Sequence, residues 1–535
     1  MKRYLFLLLL IFTVITGGYF LWSWSLLPKG ERFVYPLDDA YIHLAIAKNF
    51  ALNGAWSINA TGFDSASSSI LYTLLLSTLI KVFGDWEFYP LIINIAAGYL
   101  AVYWFYRYFK DFYTSSEMKW AIILLLPFSL LYAMTLIGME HTIHMFLMVL
   151  AVYWIHKNVD ANFEGSNFIK LLIIVLLISM IRFESMFFTA ALAFALFLRQ
   201  SFRKGFWVLL IGFFPILIFG LISMQNGGFF FPNSVFIKTS VPSEGNLFFK
   251  LWIIFREGIL LNASFYKCLF FPFLLAGVYL IKKYRGQNMR DLFQRETLII
   301  TIVSVGLMHA LFSILKYRYE NYLMISLLLV IIPIISGFLK NLKAGKVKLD
   351  VFNMISLMSI LGISVISVYR FQYMHRPSVV GSRDIYGQQV EMSRFLGEFY
   401  RGEKVVANDI GAISYFSGVQ LLDMVGLGST EVAKMILENN DLPAPEFQSH
   451  YRNFLMEYTA ENNYQVAVIY PKWFPGDIPS SWIPVASWTN PDNRMAAQNR
   501  VVFYALKPGQ IKKLQQNLMR FDRNKKVVQS FYIKN

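Results

Sequence analysis

Tyr35-Pro36-Leu37-Asp38-Asp39-Ala40-Tyr41-Ile42-His43 sets two adjacent carboxylates directly behind the first hydrophobic run of the chain. An aspartate costs roughly 2.5–3.5 kcal/mol at the centre of a bilayer and less at its edge, so charges kept there are read by default as functional. Outward from this stretch, the first question is whether the chain offers a membrane for it to face.

Composition answers that it does. The 535 residues are 56% hydrophobic, 17% aromatic and only 15% charged, with a mean hydropathy of +0.47, the profile of a polytopic α-helical membrane protein. A net charge of +16 would suit a nucleic-acid binder, but Lys and Arg sit in short clusters between apolar runs. That is the positive-inside pattern, and no nucleic-acid partner is expected. The single cysteine, Cys268, lies inside an apolar run, so neither an internal disulfide nor a cysteine metal cluster can form.

Before the quoted stretch, Met1-Lys2-Arg3 leads an apolar run over 4–22. The run approaches the ~20 residues that span a bilayer, and no small-x-small cleavage site follows it, so a first transmembrane helix is expected rather than a signal peptide. Lys2 and Arg3 then place the N-terminus in the cytoplasm of a plasma (inner) membrane protein and Asp38-Asp39 outside. Residues 28–69 are polar and serine-rich, with helical periodicity over 40–52, and read as a long external loop carrying a short helix. The apolar stretch 70–83 contains Lys81 and is short for a crossing.

If 70–83 stays on one side, later spans alternate with a basic cluster at each cytoplasmic turn: 88–106, 119–138, 143–156, 169–181, 186–198, 206–224, 264–281, 297–315, 321–339 and 349–369. This makes about eleven transmembrane helices, with the C-terminus outside. The membrane domain is drawn as 1–373, including the first external loop 28–87. After it, charges of both signs mix and apolar runs shorten to strand length. A soluble extracytoplasmic α/β domain is expected over 374–535, with helices near 384–400, 429–438 and 449–461 and strands at 404–407, 420–423, 465–470, 482–487 and 501–506.

On this topology one side gathers charges of both signs at helix ends: Asp38, Asp39, His43, Asp64, Lys81, Glu140, His141, Arg182, Glu184, Lys238, Lys316, Arg318 and Glu320. A site that activates a hydroxyl and holds a lipid-linked phosphate needs that mixture: a carboxylate as general base and cations for the phosphate as it leaves.

Here the residues match a known family. The chain resembles the GT-C glycosyltransferases that use polyprenyl-phosphate sugars, most closely the branch with mycobacterial cell-wall arabinofuranosyltransferases. Asp38 to Ile42 is similar to that branch's Asp-Asp-Ala-Tyr/Phe-Ile, and the serines from Ser65 onward loosely match its serine-rich segment. Gly138-Met139-Glu140-His141-Thr142 resembles Ser-Gly-Met/Leu-Glu-Thr, interrupted by His141. Arg182-Phe183-Glu184 resembles Arg-x-Glu-Gly with Ser185 in place of Gly, and Pro232-Asn233-Ser234 through Lys238 resembles Pro-Asn-Thr-x-x-x-Lys. Segments 408–416 and 422–427 look like those that follow the last helix in such proteins.

The resemblance covers nearly the whole length. It implies an inverting hexosyl or pentosyl transfer from a polyprenyl-phosphate sugar donor to an extracytoplasmic glycan or lipid acceptor among membrane lipids. Asp38 or Asp39 would be the base. Arg182, Lys238, Arg318, Glu140, Glu184, Tyr41 and His43 would hold donor phosphate or substrate. No metal ligand is assigned; paired carboxylates attract hard cations, so a divalent cation stays open.

Bland readings stand beside these. Asp38-Asp39 would serve as an N-cap pair for the helix that follows. Glu140, Arg182 and Glu184 would pair at helix ends, His43 and His141 would be hydrogen-bonded interface residues, and Lys238, Lys316 and Arg318 would snorkel. Two other classes compete with the enzyme: a transporter or flippase of a lipid-linked or anionic substrate, and a non-catalytic membrane scaffold. The first calls for matched, interrupted half-repeats with mid-membrane charges, which the sequence lacks. The second leaves Asp38-Asp39 without a task.

Overall fold

The structure, a computed structural model, describes residues 2–233, 235, 246–348 and 350–532. They fall into two compact units. A helical unit draws on 1–18, 91–218 and 239–375, and a mixed unit on 19–90, 219–238 and 376–535. The first loop thus belongs to the same compact unit as the C-terminal region.

Every expected span is helical, but several are short or interrupted. The stretch 119–138 is two helices, Ser115–Ser129 and Leu131–Leu136, separated by Leu130 in the left-handed region at φ 57° and preceded by Pro127. The stretch 264–281 divides at Leu269 into Ala263–Cys268 and Phe270–Tyr284. By length and hydropathy five helices suffice to cross a membrane among the described residues: Lys2–Ser25, Tyr89–Phe112, Phe202–Gln225, Asn321–Lys343 and Val351–Phe399. A sixth arises if Met289–Arg295 and Thr297–Phe312, bent by 84°, are one span. The breaks at Leu130 and Leu269 leave helices shorter than the ~20 residues of a full crossing.

In the helical unit Asn321–Lys343 packs against Ser115–Ser129 and His141–Asp160, and Thr297–Phe312 against Met186–Leu198. From Asn321 to Ile332 every residue of the first of these is buried. A helix apolar all round is one that belongs in an interior.

The composition break near 374 does not mark a chain break. One helical run extends over Val351–Phe399, with a wide π turn at Tyr386–Val390, so the separate helix expected near 384–400 is the end of the last long helix. Between Pro377 and Phe399 no strong stop signal intervenes apart from glycines, and burial of Ile385, Met392, Phe395 and Leu396 carries the helix through.

Beyond it lies a six-stranded sheet of order β2-β1-β3-β5-β4-β6, from β1 (Lys404–Ala407), β2 (Gln420–Asp423), β3 (Val466–Ile469), β4 (Ile483–Thr489), β5 (Arg500–Ala505) and β6 (Val528–Phe531). β1 runs parallel to β2 and β3, and the remaining pairs are antiparallel. The parallel strands read as unbroken apolar runs because both faces are covered. On one face Val406, Leu422, Ala467 and Val502 meet Val432, Leu455 and Tyr451 of the helices Thr430–Glu438 and Ala444–Glu461. On the other, Phe395, Trp488, Phe503 and Phe521 form an aromatic cluster. The helix Gln510–Arg520 and strand β6 were not expected from sequence.

The strand order puts β2 on one side of β1 and β3 on the other. In open α/β sheets such a switch leaves a crevice at the carboxyl ends of the strands, the usual place for a site.

Candidate active site

At that crevice β1 is followed by Asn408-Asp409 and β3 by Tyr470. Asn408 ties the two together, its side chain donating to the Tyr470 carbonyl at 3.0 Å and accepting from the Tyr470 amide at 3.0 Å. Directly after Asp409 a short helical segment begins at Gly411 and continues as a π turn over Ile413–Ser417. Its free amides receive a carboxylate from 373 positions away: Gly411 donates to Asp38 Oδ2 at 2.5 Å and Ala412 to Asp38 Oδ1 at 2.8 Å.

This corrects the capping reading of Asp38. It precedes the helix Asp39–Asn53 but makes no side-chain cap bond to it, serving as the anion for another helical start, where free N–H groups and the backbone dipole favour negative charge. Close approach explains Gly411, since a Cβ there would lie 2.0 Å from the Asp38 carbonyl oxygen and 2.7 Å from Oδ2.

Asp409 completes the centre. It is hydrogen-bonded to Asp38, and Gln389 Nε2 donates to its Oδ2 at 2.6 Å. Burial pushes Asp38 above the usual carboxylate range, against the hydrogen bonds from Asp409 and the two amides. Asp409 goes well above it, through burial and then the charge of Asp38. Asp39 is half-buried and adds negative charge to both. The Tyr470 hydroxyl and Gln389 Oε1 are buried without a hydrogen-bond partner.

Tyr41 and His43 sit deeper in the same unit. The Tyr41 hydroxyl accepts from the Tyr35 amide at 3.2 Å, and its ring packs on Phe416. His43 Nδ1 lies 3.4 Å from Ser67 Oγ, with its ring edge-on to Tyr72. Both are 2% exposed or less.

A second acidic pair lies nearby in sequence terms. Asp64 accepts from Ile58 N at 2.6 Å and Ala66 N at 3.1 Å, and burial pushes it up to about 7. Asp423, ending β2, accepts from Val425 N and Gly428 N at 2.8 Å and is pushed up by burial to about 6. Asn233 of the Pro-Asn motif bridges these loops, donating to the Gly426 and Leu427 carbonyls at 3.0 and 3.2 Å and pairing with Ser65. Ser234 and Lys238 lie outside the described residues.

In the helical unit a different group gathers. Arg182, 3% exposed, donates to Glu140 and, at 2.6 Å, to Glu184. Its guanidinium lies 5.3 Å from the centre of the Tyr319 ring, and that of Arg318 lies 5.0 Å from it. Two expected arginines, Arg182 and Arg318, therefore share one tyrosine ring, and Glu140 and Glu184 join through Arg182. His141 meets its edge, while His144 stacks on Tyr322 at 4.1 Å. Arg182 was expected to meet phosphate; its charge is already matched by two carboxylates.

Sequence reasoning missed Asp409, Gln389, Gly411 and Asp423. The available signal was position, since both acids close a strand of a parallel set. It also missed buried Arg370, which donates to Glu320 at 2.8 Å, the Phe128 carbonyl at 3.0 Å and Asn321. Arg370 lies one residue past the apolar run that was counted. Beside it a cavity of about 180 Å³ is lined by Lys267, Lys316 and the rings of Tyr317, Tyr369 and Tyr373.

The fit for a divalent cation is poor. Among the described residues no group of three or more His, Cys, Asp or Glu side chains is placed to hold one. Both oxygens of Asp38 already face N–H donors.

A family described as "Domain of unknown function (DUF8728)" matches residues 383–504. No curated protein matches the sequence. Among solved structures the chain is similar to ArnT from Cupriavidus metallidurans bound to undecaprenyl phosphate, and to its apo state. Each has a TM-score of 0.50 and 13% identity, over 94% of this chain and 98% of that one. It is also similar to the archaeal oligosaccharyltransferase AglB from Archaeoglobus fulgidus in complex with an inhibitory peptide and a dolichol-phosphate. That match has a TM-score of 0.49 and 13% identity, over 93% and 74% of the two chains. The likeness is one of fold: a largely helical chain with several apolar helices and a C-terminal sheet domain.

Proposed function

We propose that this chain is a membrane glycosyltransferase that moves a hexosyl or pentosyl unit from a polyprenyl-phosphate donor to a hydroxyl of an extracytoplasmic glycan or lipid, with inversion. The observation that carries this reading is the carboxylate centre of Asp38, Asp39 and Asp409, held at the carboxyl ends of parallel strands in a chain of GT-C architecture. A carboxylate at the Asp38-Asp39 turn takes the acceptor's hydroxyl proton while the acceptor oxygen bonds to the anomeric carbon. The bond from that carbon to the phosphate oxygen breaks, and its electron pair leaves with polyprenyl phosphate. Because phosphate is already a good leaving group, no acid has to protonate it.

For the phosphate the proposed contacts are Arg318, Lys238 and Arg182. Arg182 acts with Glu140 and Glu184, its two partners, as a prearranged ionic group. The proposed setting is the plasma (inner) membrane, with the N-terminus cytoplasmic and the C-terminal domain outside, where lipid-borne donors replace nucleotide sugars.

The test is incubation of purified protein with a panel of polyprenyl-phosphate sugars, arabinofuranose included, in which release of free polyprenyl phosphate identifies the donor. No release from any member, with folded protein and a range of acceptors, rejects the reading. A reporter active only in the cytoplasm, fused after Asn535, is expected to be silent.

A further inference from the structure

Two carboxyl groups in hydrogen-bond contact need a proton between them, because like charges at that distance do not both ionise. Asp38 and Asp409 are such a pair. The surroundings decide which one holds the proton. Asp38 receives two backbone N–H bonds at the start of a helical segment, an arrangement that stabilises the anion. Asp409 receives the single side-chain amide of Gln389. The proton therefore resides on Asp409, which donates it to Asp38.

With three donors, Asp38 has its oxygens committed. It is 7% exposed, whereas the adjacent Asp39 is half-buried.

We propose that Asp409 is a positioning residue that carries a proton at neutral pH and gives it in a hydrogen bond to Asp38, so that Asp38 is the anchored anion and Asp39 the general base. The assignment of the base rests on the glycosyl-transfer reading; the location of the proton does not. The other titratable groups facing the pair are Asp39 on the same turn, Tyr41 one turn along and Tyr470 at the end of β3. The base receives the acceptor's proton and returns it to solvent after the phosphate has left, while the Asp409 proton stays in place. An undischarged second carboxylate would otherwise hold part of that negative charge against Asp39 and raise its affinity for the proton in every step.

Infrared spectroscopy of the full-length protein at neutral pH tests the proton directly. The wild type is expected to show carbonyl stretches of protonated, deuterium-sensitive carboxylic acids, and the difference spectrum against Asp409→Asn, the neutral isostere, is expected to show the loss of one such band while any from Asp64 and Asp423 remain. Absence of the band, or its survival unchanged in the variant, overturns the assignment whether or not any sugar donor is found.

Turnover on the identified donor tests the roles. Asp409→Ala is expected to lose about tenfold or more through misplacement of its neighbours, and Asp409→Asn to recover most of it. Asp39→Asn should lose at least about a hundredfold at unchanged melting temperature, since a general base contributes about 10²–10⁴-fold. In wild type the rate is expected to rise with pH on a single acidic limb, and in Asp409→Asn that limb is expected to stay within half a pH unit. An active Asp39→Asn beside a folded, inactive Asp38→Asn reverses the roles, and an Asp409→Asn no better than Asp409→Ala rejects the positioning role.

Discussion

Buried charge is handled in two ways in this molecule. Around Arg182 in the helical unit, two carboxylates face a guanidinium, and the neutralising charge is built into the chain. Around Asp38 in the mixed unit, carboxyl meets carboxyl and the neutralising charge is a proton. The first arrangement is indifferent to pH across the physiological range, because guanidinium does not titrate there. The second is bound to depend on it. The comparison separates a fixed ionic scaffold from a centre whose protonation sets its chemistry.

The largest effect is expected where the fixed scaffold is broken. Arg182→Met leaves Glu140 and Glu184 facing each other without a counter-charge, and loss of one partner of a buried pair costs about 3–5 kcal/mol. The variant should therefore show a large drop in melting temperature and in monodisperse yield. Adding Glu140→Gln should recover part of that loss, because it removes one stranded charge, and the double-variant cycle reads the coupling. Unchanged stability in Arg182→Met would erase the distinction between the two regions.

Next comes the seat of Asp38. Gly411→Ala forces a methyl to within 2.0 Å of the Asp38 carbonyl, and overpacking of this kind costs about 1–3 kcal/mol. The melting temperature should fall, and the carboxylate centre should loosen with it.

Stability against pH sharpens the contrast further. Asp64 and Asp423 are pushed up to about 7 and about 6, and Asp409 well above the usual range. Unfolded carboxylates release their protons near about 3.9. Above that pH the folded chain holds protons that the unfolded chain has lost, so stability is greatest below it and falls as pH rises towards 7. Melting curves between pH 4 and 7 should show this decline, and Asp64→Asn should reduce it.

The smallest effect is expected at Arg318, which is half-buried on the Tyr319 ring. Arg318→Gln should change stability by no more than about 0.5 kcal/mol while raising KM for the lipid donor, and an unchanged KM removes it from the phosphate contacts.

Much of the local structure was legible. The strands at Lys404–Ala407 and Gln420–Asp423 were read to the residue, because short apolar runs between turn residues have few other uses. The loop helix expected over 40–52 is Asp39–Asn53, ended by Gly54 at φ 72°. The break at Leu130 was not legible, since no sequence rule places a leucine at positive φ. Nor was the continuity of Val351–Phe399, where the charge pattern changes and tertiary burial keeps the helix going.

By itself the sequence determined the fold class and drew attention to Asp38-Asp39, because hydropathy, charge placement and short-range periodicity are local properties of a chain. What only tertiary structure decided is the partner of that pair. Asp38 meets Gly411 and Ala412 across 373 and 374 positions, and Asp409 and Gln389 arrive with the end of β1 and the turn of a long helix. Whether a carboxylate is an anion, a proton holder or a base depends on the donors and charges within a few ångströms, and those neighbours are set by how distant segments pack.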